Sequence, residues 1–425
     1  MSSRLRVAVV GAGWAGLSAA IECASAGAEV TLNEMAPLAG GRARDVPPPP
    51  EGLDNGQHIC IGAYAETLRL MRKVGVAEAD AFVRLPLTLV GPEGAGLRLP
   101  RGGPRLGFAR AVLANTRWRW GERLRLLSVA GGWAARGFAC DPGETVAGLA
   151  APLPEAVRRD LIEPLCVAAL NTPAEQASGC VFLRVLRDAL AAGRGASDLL
   201  LPRRGLGALL PLPALNFLER AGVTARLTAR VERLERDGAG WQVDDLRVDR
   251  VIVAASAVEA ARLVEPHDAA WAARARALRH EPIATVYLRS HRTRLAEPML
   301  VLRSGPDRPA QFVFDRGRLG GPEGLLAFVV SGAAAWVERG ADATVQATLA
   351  QARETLGTQL AGPPELVRIV VEKRATFACT PRLDRPPTDV AAGLFAAGDY
   401  IAGPYPATLE GSVRSGVAAA AAALR

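Results

Sequence analysis

Lysine is almost missing from this chain: Lys73 and Lys373 are the two present, so nearly all of its 51 basic side chains are arginines. The formal charge of +8 therefore goes with an arginine-, alanine- and glycine-rich composition that coding bias explains as readily as an acidic partner does. No basic run interleaved with aromatics stands on a nucleic-acid module, and nucleic acid is not an expected partner. The six cysteines, Cys23, Cys60, Cys140, Cys166, Cys180 and Cys379, are scattered. They form no CxxC and no metal-like spacing with the four histidines, so buried free thiols and no metal are expected. No window reaches the roughly 18 uncharged apolar residues of a bilayer span. The N-terminus runs into a strand rather than a charged, then apolar, then cleavable segment, which points to the cytoplasm. What is present is a chain of 425 residues, 49% hydrophobic and 22% charged, long enough for two interleaved domains.

The two ends read as halves of one nucleotide site. Arg6 to Val10 is a short apolar, β-branched run, followed by Gly11-Ala12-Gly13-Trp14-Ala15-Gly16 and a small-residue helix from Leu17 to Ala26. In such a turn Gly11 permits the tight bend and Gly13 lets backbone approach a pyrophosphate. Gly16 lets the helix pack on the strand, with its N-terminus facing phosphate charge. A second strand, Glu29 to Asn33, delivers Glu34 and then Met35. A carboxylate at Glu34 accepts both ribose hydroxyls and disfavours a 2′-phosphate. Pro37 to Arg44 (PLAGGRAR) adds Gly40, Gly41 and Arg42, whose amides and guanidinium reach a pyrophosphate from its other side. Simple NAD domains lack that element, so the cofactor expected is FAD. A proline loop, Pro47 to Pro50, and a polar stretch, Asp54-Asn55-Gly56-Gln57-His58, lead into a helix from Tyr64 to Val74.

At the other end Gly393 to Ala397 reads as a strand ending in Gly398 and Asp399. A helix from Ala407 to Leu424 follows, with Thr408 placed to cap it and Leu409 and Glu410 in its first turn. In a flavin site Asp399 then meets the ribityl and pyrophosphate hydroxyls, and the helix N-terminus faces the carbonyl side of the ring. Between the ends, Thr224 to Leu234 alternates as an edge strand, Trp241–Val243 and Leu246–Val248 make a hairpin, and Arg250 to Ala255 is a buried strand. No second dinucleotide motif is visible, and no Ser-His-Asp arrangement stands between the halves.

Together these segments resemble the FAD-dependent amine-oxidase and phytoene-desaturase superfamily. Within it, Asp54 to His58 (DNGQH), Gly62 to Thr67 (GAYAET), Asp198 to Pro211 (DLLLPRRGLGALLP), Asn216 to Gly222 (NFLERAG) and Gly403 to Gly416 (GPYPATLEGSVRSG) look like the squalene-associated flavoproteins of hopanoid biosynthesis, the hydroxysqualene dehydroxylases. The resemblance implies an α/β fold: a discontinuous Rossmann-like FAD-binding domain (1–84, 196–269, 381–425) with an inserted mixed α+β substrate domain (85–195, 270–380). It also implies backbone contacts from the Val231 region to adenine. The implied reaction reduces hydroxysqualene to squalene with reduced FAD, and water leaves.

Such chemistry needs a proton donor near the ring. By position the candidates are His58 first, Tyr405 second and Asp54 third, with a structural histidine as the competing reading of His58. The lysine often opposite the flavin in amine oxidases has no candidate, which favours a hydrocarbon-like triterpenoid substrate in an apolar pocket. A carotenoid-type desaturase and a non-catalytic prenyl-lipid binding protein are the alternatives. Arg105 to Phe138 mixes arginines with leucines and Trp118, Trp120 and Trp133. It reads either as a peripheral contact with the inner face of the membrane or as an ordinary amphipathic helix pair.

Overall fold

The computed structural model describes residues 4–47 and 53–425, so Pro48–Pro50 of the expected proline loop lie outside the described residues. Arg6–Val10 forms a strand covered on both faces, which is why its apolar run is unbroken: Val7, Ala8 and Val9 are completely buried. It lies within a six-stranded sheet in the order Asp389–Ala391, Leu394–Ala396, Arg250–Val253, Arg6–Val10, Glu29–Asn33, Thr224–Arg226. Each neighbouring pair is parallel except the first, an antiparallel hairpin. Val9 sits between Ile252 and Leu32 in register. The beginning, middle and end of the chain thus share one sheet.

The first helix, Trp14–Ser25, starts at Trp14 rather than Leu17, directly on an extended Gly13. The closing helix, Leu409–Ala423, starts on Thr408, whose Oγ1 accepts the Gly411 N–H at 2.9 Å. The two helices meet at a glycine. A Cβ on Gly416 would stand 2.1 Å from the Ala15 carbonyl oxygen, so no larger residue allows this approach.

The edge strand expected from Thr224 to Leu234 is cut short. It pairs only over Thr224–Arg226, because Thr228 adopts φ 55° and the chain swings across Glu34, where the Ala229 N–H donates to the Glu34 carbonyl at 2.8 Å. The alternation resumes at Leu234–Asp237, in a separate three-stranded sheet with Gly240–Val243 and Leu246–Val248.

The insertion carries a five-stranded antiparallel sheet in the order Met299–Val301, Phe312–Asp315, Leu325–Val330, His280–Arg289, Glu365–Phe377. The helix Ala341–Leu356 packs on it and ends where Gly357 starts a tighter turn. The helices Pro104–Ala114, Trp120–Ala135, Glu163–Leu170 and Gly179–Ala191 make the insertion's helical part. The fold is therefore α/β with an inserted α+β unit.

Two of the expected domain limits meet continuous structure. The limit at 84/85 falls inside the strand Phe82–Leu85, which pairs with Leu199–Pro202. The limit at 269/270 falls at the start of the helix Ala269–Arg276, which the nucleotide half holds: Trp271 is buried and its Nε1–H donates to the Pro387 carbonyl at 2.8 Å.

Candidate cofactor and substrate site

The glycine turn is built by close approach. Gly11 has φ 107°, and a Cβ there would lie 2.6 Å from the Ala254 carbonyl oxygen; a Cβ on Gly16 would overlap the Gly11 oxygen. Gly40 bridges to Gly13, with the Gly40 N–H donating to the Ala12 carbonyl at 2.8 Å. The two glycine elements expected to face one pyrophosphate therefore lie against each other.

Glu34 is held by two backbone amides. Its Oε2 accepts the Ala12 N–H at 2.7 Å and its Oε1 accepts the Ala36 N–H at 2.8 Å, while the side chain still borders the cavity. That cavity, of about 510 Å³, runs past Gly11, Gly13, Trp14, Ala15, Glu34, Met35, Gly40, Gly41 and Arg42. It continues to Asn55, Gly56, Gln57 and His58, and reaches Gly398, Asp399, Thr408 and Leu409, with Val231 on the Glu34 side. Ala12 and Gly16 stand behind its wall, the first holding Glu34 through its amide and the second seating the helix. A cradle that excludes Cβ atoms, a carboxylate fixed at the end of the second strand and a facing helix N-terminus fit a flavin dinucleotide.

Arg42 and Asp399 occupy the expected wall but are paired with each other at 2.5 Å, and Arg42 Nη1–H also donates to the Ala375 carbonyl at 3.0 Å. Asn55 Nδ2–H donates to the Arg42 carbonyl at 3.1 Å and to Glu372 Oε2 at 3.0 Å. Two halves distant in sequence are thus locked across the groove by polar contacts.

Four expectations change. Glu410 does not reach the cofactor cavity. It is completely buried behind it, where its carboxylate accepts the Glu66 and Thr67 N–H groups at 3.1 and 2.9 Å and the Thr67 hydroxyl at 2.7 Å, capping the helix Ala65–Lys73. Asp54 is also behind the wall: it is 1% exposed, accepts the Leu206 N–H at 2.8 Å and stands 3.8 Å from Arg316. Burial pushes its carboxyl up to about 7, with Arg316 opposing. Tyr405 borders a second cavity rather than the cofactor channel, its ring lying between the guanidinium groups of Arg184 and Arg414 at 5.1 and 4.9 Å. His58 does line the channel, but burial lowers its pKa despite the Gly56 hydrogen bond. Its Nδ1 lies 3.0 Å from the Gly56 carbonyl, which can only accept, so the neutral ring carries its proton there and Nε2 has none to give.

The second cavity, of about 360 Å³, is an apolar chamber formed by the inner faces of the helical part of the insertion, with Phe108, Leu126, Trp133, Leu165, Val185 and Phe312 among its walls. It adjoins the cofactor channel: Ile59, Tyr64, Ala168, Ala169, Phe312 and Thr408 line both. Sequence reasoning missed Ile59, Tyr64, Ala168, Ala169 and Phe312. Tyr64 stood in a quoted motif without a role, and the others carry no local signal because only the tertiary fold brings them to the seam. Among the described residues no cluster of three or more His, Cys, Asp or Glu side chains could hold a metal ion, and no helix is long and apolar enough to cross a membrane.

A family model described as flavin containing amine oxidoreductase matches residues 14–424. The chain belongs to the flavin-containing amine oxidoreductase family. Within that family it is 29% identical to a hydroxysqualene dehydroxylase of Sinorhizobium fredii over 98% of both chains. It is 31% identical to a hydroxysqualene dehydroxylase of Rhodopseudomonas palustris over 97% of both. A zeta-carotene desaturase of Zea mays matches at 33% identity, but over 26% of this chain and 20% of that one. Among solved structures, an oxidoreductase from Methanosarcina mazei superposes with a TM-score of 0.73 at 16% identity, covering 97% of this chain and 99% of that one. A cyclohexylamine oxidase from Brevibacterium oxydans does so with a TM-score of 0.67 at 19% identity, covering 99% of each. These structures share the family's fold, and FAD is the cofactor that the family and the cradle have in common.

Proposed function

We propose that this protein reduces hydroxysqualene to squalene with release of water, a step of squalene and hopanoid biosynthesis. The observation that carries the reading is the apolar chamber adjoining the cofactor channel, in a chain whose match to hydroxysqualene dehydroxylases runs end to end. A polyisoprenoid offers almost nothing to hydrogen-bond, and a chamber walled by leucine, isoleucine, phenylalanine and tryptophan suits it. Glu34, the Gly11–Gly16 turn and the Gly40–Gly41 loop would hold FAD, with the Arg42–Asp399 pair beside its diphosphate and ribityl chain. In its reduced form FAD supplies the hydride that replaces the hydroxyl. The chain's own tasks are to bury the reacting carbon away from water and to present a proton donor to the departing oxygen.

The domain division follows from the same reading: the six-stranded sheet and its helices hold the cofactor, while the antiparallel sheet and the helices between Pro104 and Ala191 hold the substrate. The hairpin of helices Pro104–Ala114 and Trp120–Ala135 lines the chamber with its inner face and leaves Leu106, Leu113, Trp120 and Leu124 exposed among Arg105, Arg110, Arg119 and Arg125. That pattern suits peripheral attachment to an anionic bilayer from the cytoplasmic side, from which a water-insoluble substrate arrives.

Anaerobic incubation of dithionite-reduced protein with hydroxysqualene tests the reading. Squalene is the expected product. Failure to form it, together with flavin reduction when oxidised protein meets a polyene, would make the protein a desaturase instead.

A further inference from the structure

The reaction requires a proton at the leaving oxygen, and the three side chains first considered for it do not serve. Asp54 is sealed behind the wall, Tyr405 is turned to the chamber and held between two arginines, and neutral His58 spends its ring proton on the Gly56 carbonyl. The oxygen must depart where the chamber meets the cofactor channel, since the reacting carbon has to meet both. Of the six side chains on that seam among the described residues, only Tyr64 and Thr408 carry a hydroxyl. The Thr408 hydroxyl is committed: it accepts the Gly411 N–H at 2.9 Å and donates to the Tyr405 carbonyl at 3.0 Å. The Tyr64 side chain makes no hydrogen bond with the described residues, and it is not among the polar groups sealed in the core without a partner. Its backbone is held at the entry to the helix Ala65–Lys73, with its N–H donating to the Ile61 carbonyl at 2.9 Å, and Glu410 fixes that helix start from behind.

Resting on the proposed function, we propose that Tyr64 is the catalytic acid, donating its phenolic proton to the hydroxyl that leaves hydroxysqualene. The C–O bond breaks with its electron pair going to oxygen, the oxygen takes the Tyr64 proton and departs as water, and the hydride that replaces it at carbon would be supplied by reduced FAD held in the adjoining channel. Reduced FAD would supply two electrons and two protons overall, one as the hydride and one to restore the Tyr64 phenol, so the sum is alcohol plus two electrons and two protons giving alkene-retaining hydrocarbon and water. Burial pushes the Tyr64 phenol well above its usual range, and the thiol of Cys60, the Glu410 carboxylate and Tyr405 act in the same direction. The phenol is therefore fully protonated at neutral pH. It remains competent because water, the conjugate acid of a departing hydroxide, has a pKa of about 15.7, so the proton moves as the bond lengthens.

The test is Tyr64→Phe, assayed in single turnover with FAD-loaded, reduced enzyme. The expected result is unchanged flavin content and absorbance, an apparent dissociation constant for hydroxysqualene within a few-fold, and a single-turnover rate lowered by about 10² to 10⁴. The acetate ester of hydroxysqualene, whose leaving group needs no proton, separates acid catalysis from a structural role: the variant should reduce it at close to the wild-type rate. Loss of both substrates in equal measure, or hydroxysqualene reduction within about twofold of wild type, overturns the assignment. Wild-type enzyme inert towards hydroxysqualene would instead overturn the proposed function, and Tyr64's role with it.

Discussion

Glu410 gives the sharpest quantitative test of the closing helix. Its completely buried carboxylate satisfies two backbone N–H groups at the start of the helix Ala65–Lys73 and the buried Thr67 hydroxyl. Replacing it by alanine leaves those donors without a partner in the core, each at a cost of about 1–3 kcal/mol, though the hydroxyl can rotate to another acceptor. The partner Arg414 is 37% exposed and regains water, so its lost ion pair adds little. Glu410→Ala should therefore lower stability by about 3–5 kcal/mol, a large effect for a single residue. Glutamine does not rescue it, because its NH₂ would face donors. Urea denaturation of the FAD-loaded protein, followed by tryptophan fluorescence, measures the loss; flavin titration well below the transition measures affinity. The reasoning fails if stability falls by less than about 1 kcal/mol while FAD affinity drops tenfold or more, since that would return Glu410 to the cofactor.

The remaining expectations concern titration, the histidine and the surface. The folded pKa of Asp54, about 7, lies above its unfolded value of about 3.9, so its contribution to stability is complete at acid pH and is lost as pH rises through 7. Asp54→Asn keeps an acceptor for the Leu206 N–H and should flatten Tm against pH between about 4 and 7; an unchanged slope there contradicts this. His58→Gln should retain FAD and turn over hydroxysqualene within about fivefold of wild type, whereas a loss of about 10² or more would restore His58 as the acid. Replacing Leu106, Trp120 and Leu124 by serine should abolish flotation with anionic vesicles at moderate salt and leave turnover of detergent-dispersed substrate intact; wild-type protein that never floats refutes the membrane reading.

Much of the nucleotide half was readable because its constraints are local. A buried parallel strand writes an unbroken apolar run, and a turn that forbids a Cβ writes glycine, so Arg6–Val10, Gly11 and Gly16 declare themselves. What was lost is direction. In the first turn of the closing helix, Leu409 and Ser412 face the channel and Glu410 lies about 100° round the axis, towards the helix Ala65–Lys73. Between Asp54 and His58 the backbone turns with Gly56 at φ 104°, which leaves Asn55 to His58 on the cavity and Asp54 behind it. Proximity in sequence to a cofactor motif is not a place on the cavity wall. The Tyr64 seam is the opposite case: its walls come from four distant segments, around 59–64, 168–169, 312 and 408, and no single segment signals the meeting.

The central claim is that the chamber presents an alcohol to a reduced flavin. Its most direct measurement is anaerobic stopped-flow mixing of fully reduced enzyme with hydroxysqualene, following flavin absorbance and quantifying product from the same sample. The account predicts flavin re-oxidation with one squalene formed per flavin. A flavin that stays reduced, or re-oxidises without squalene, contradicts it.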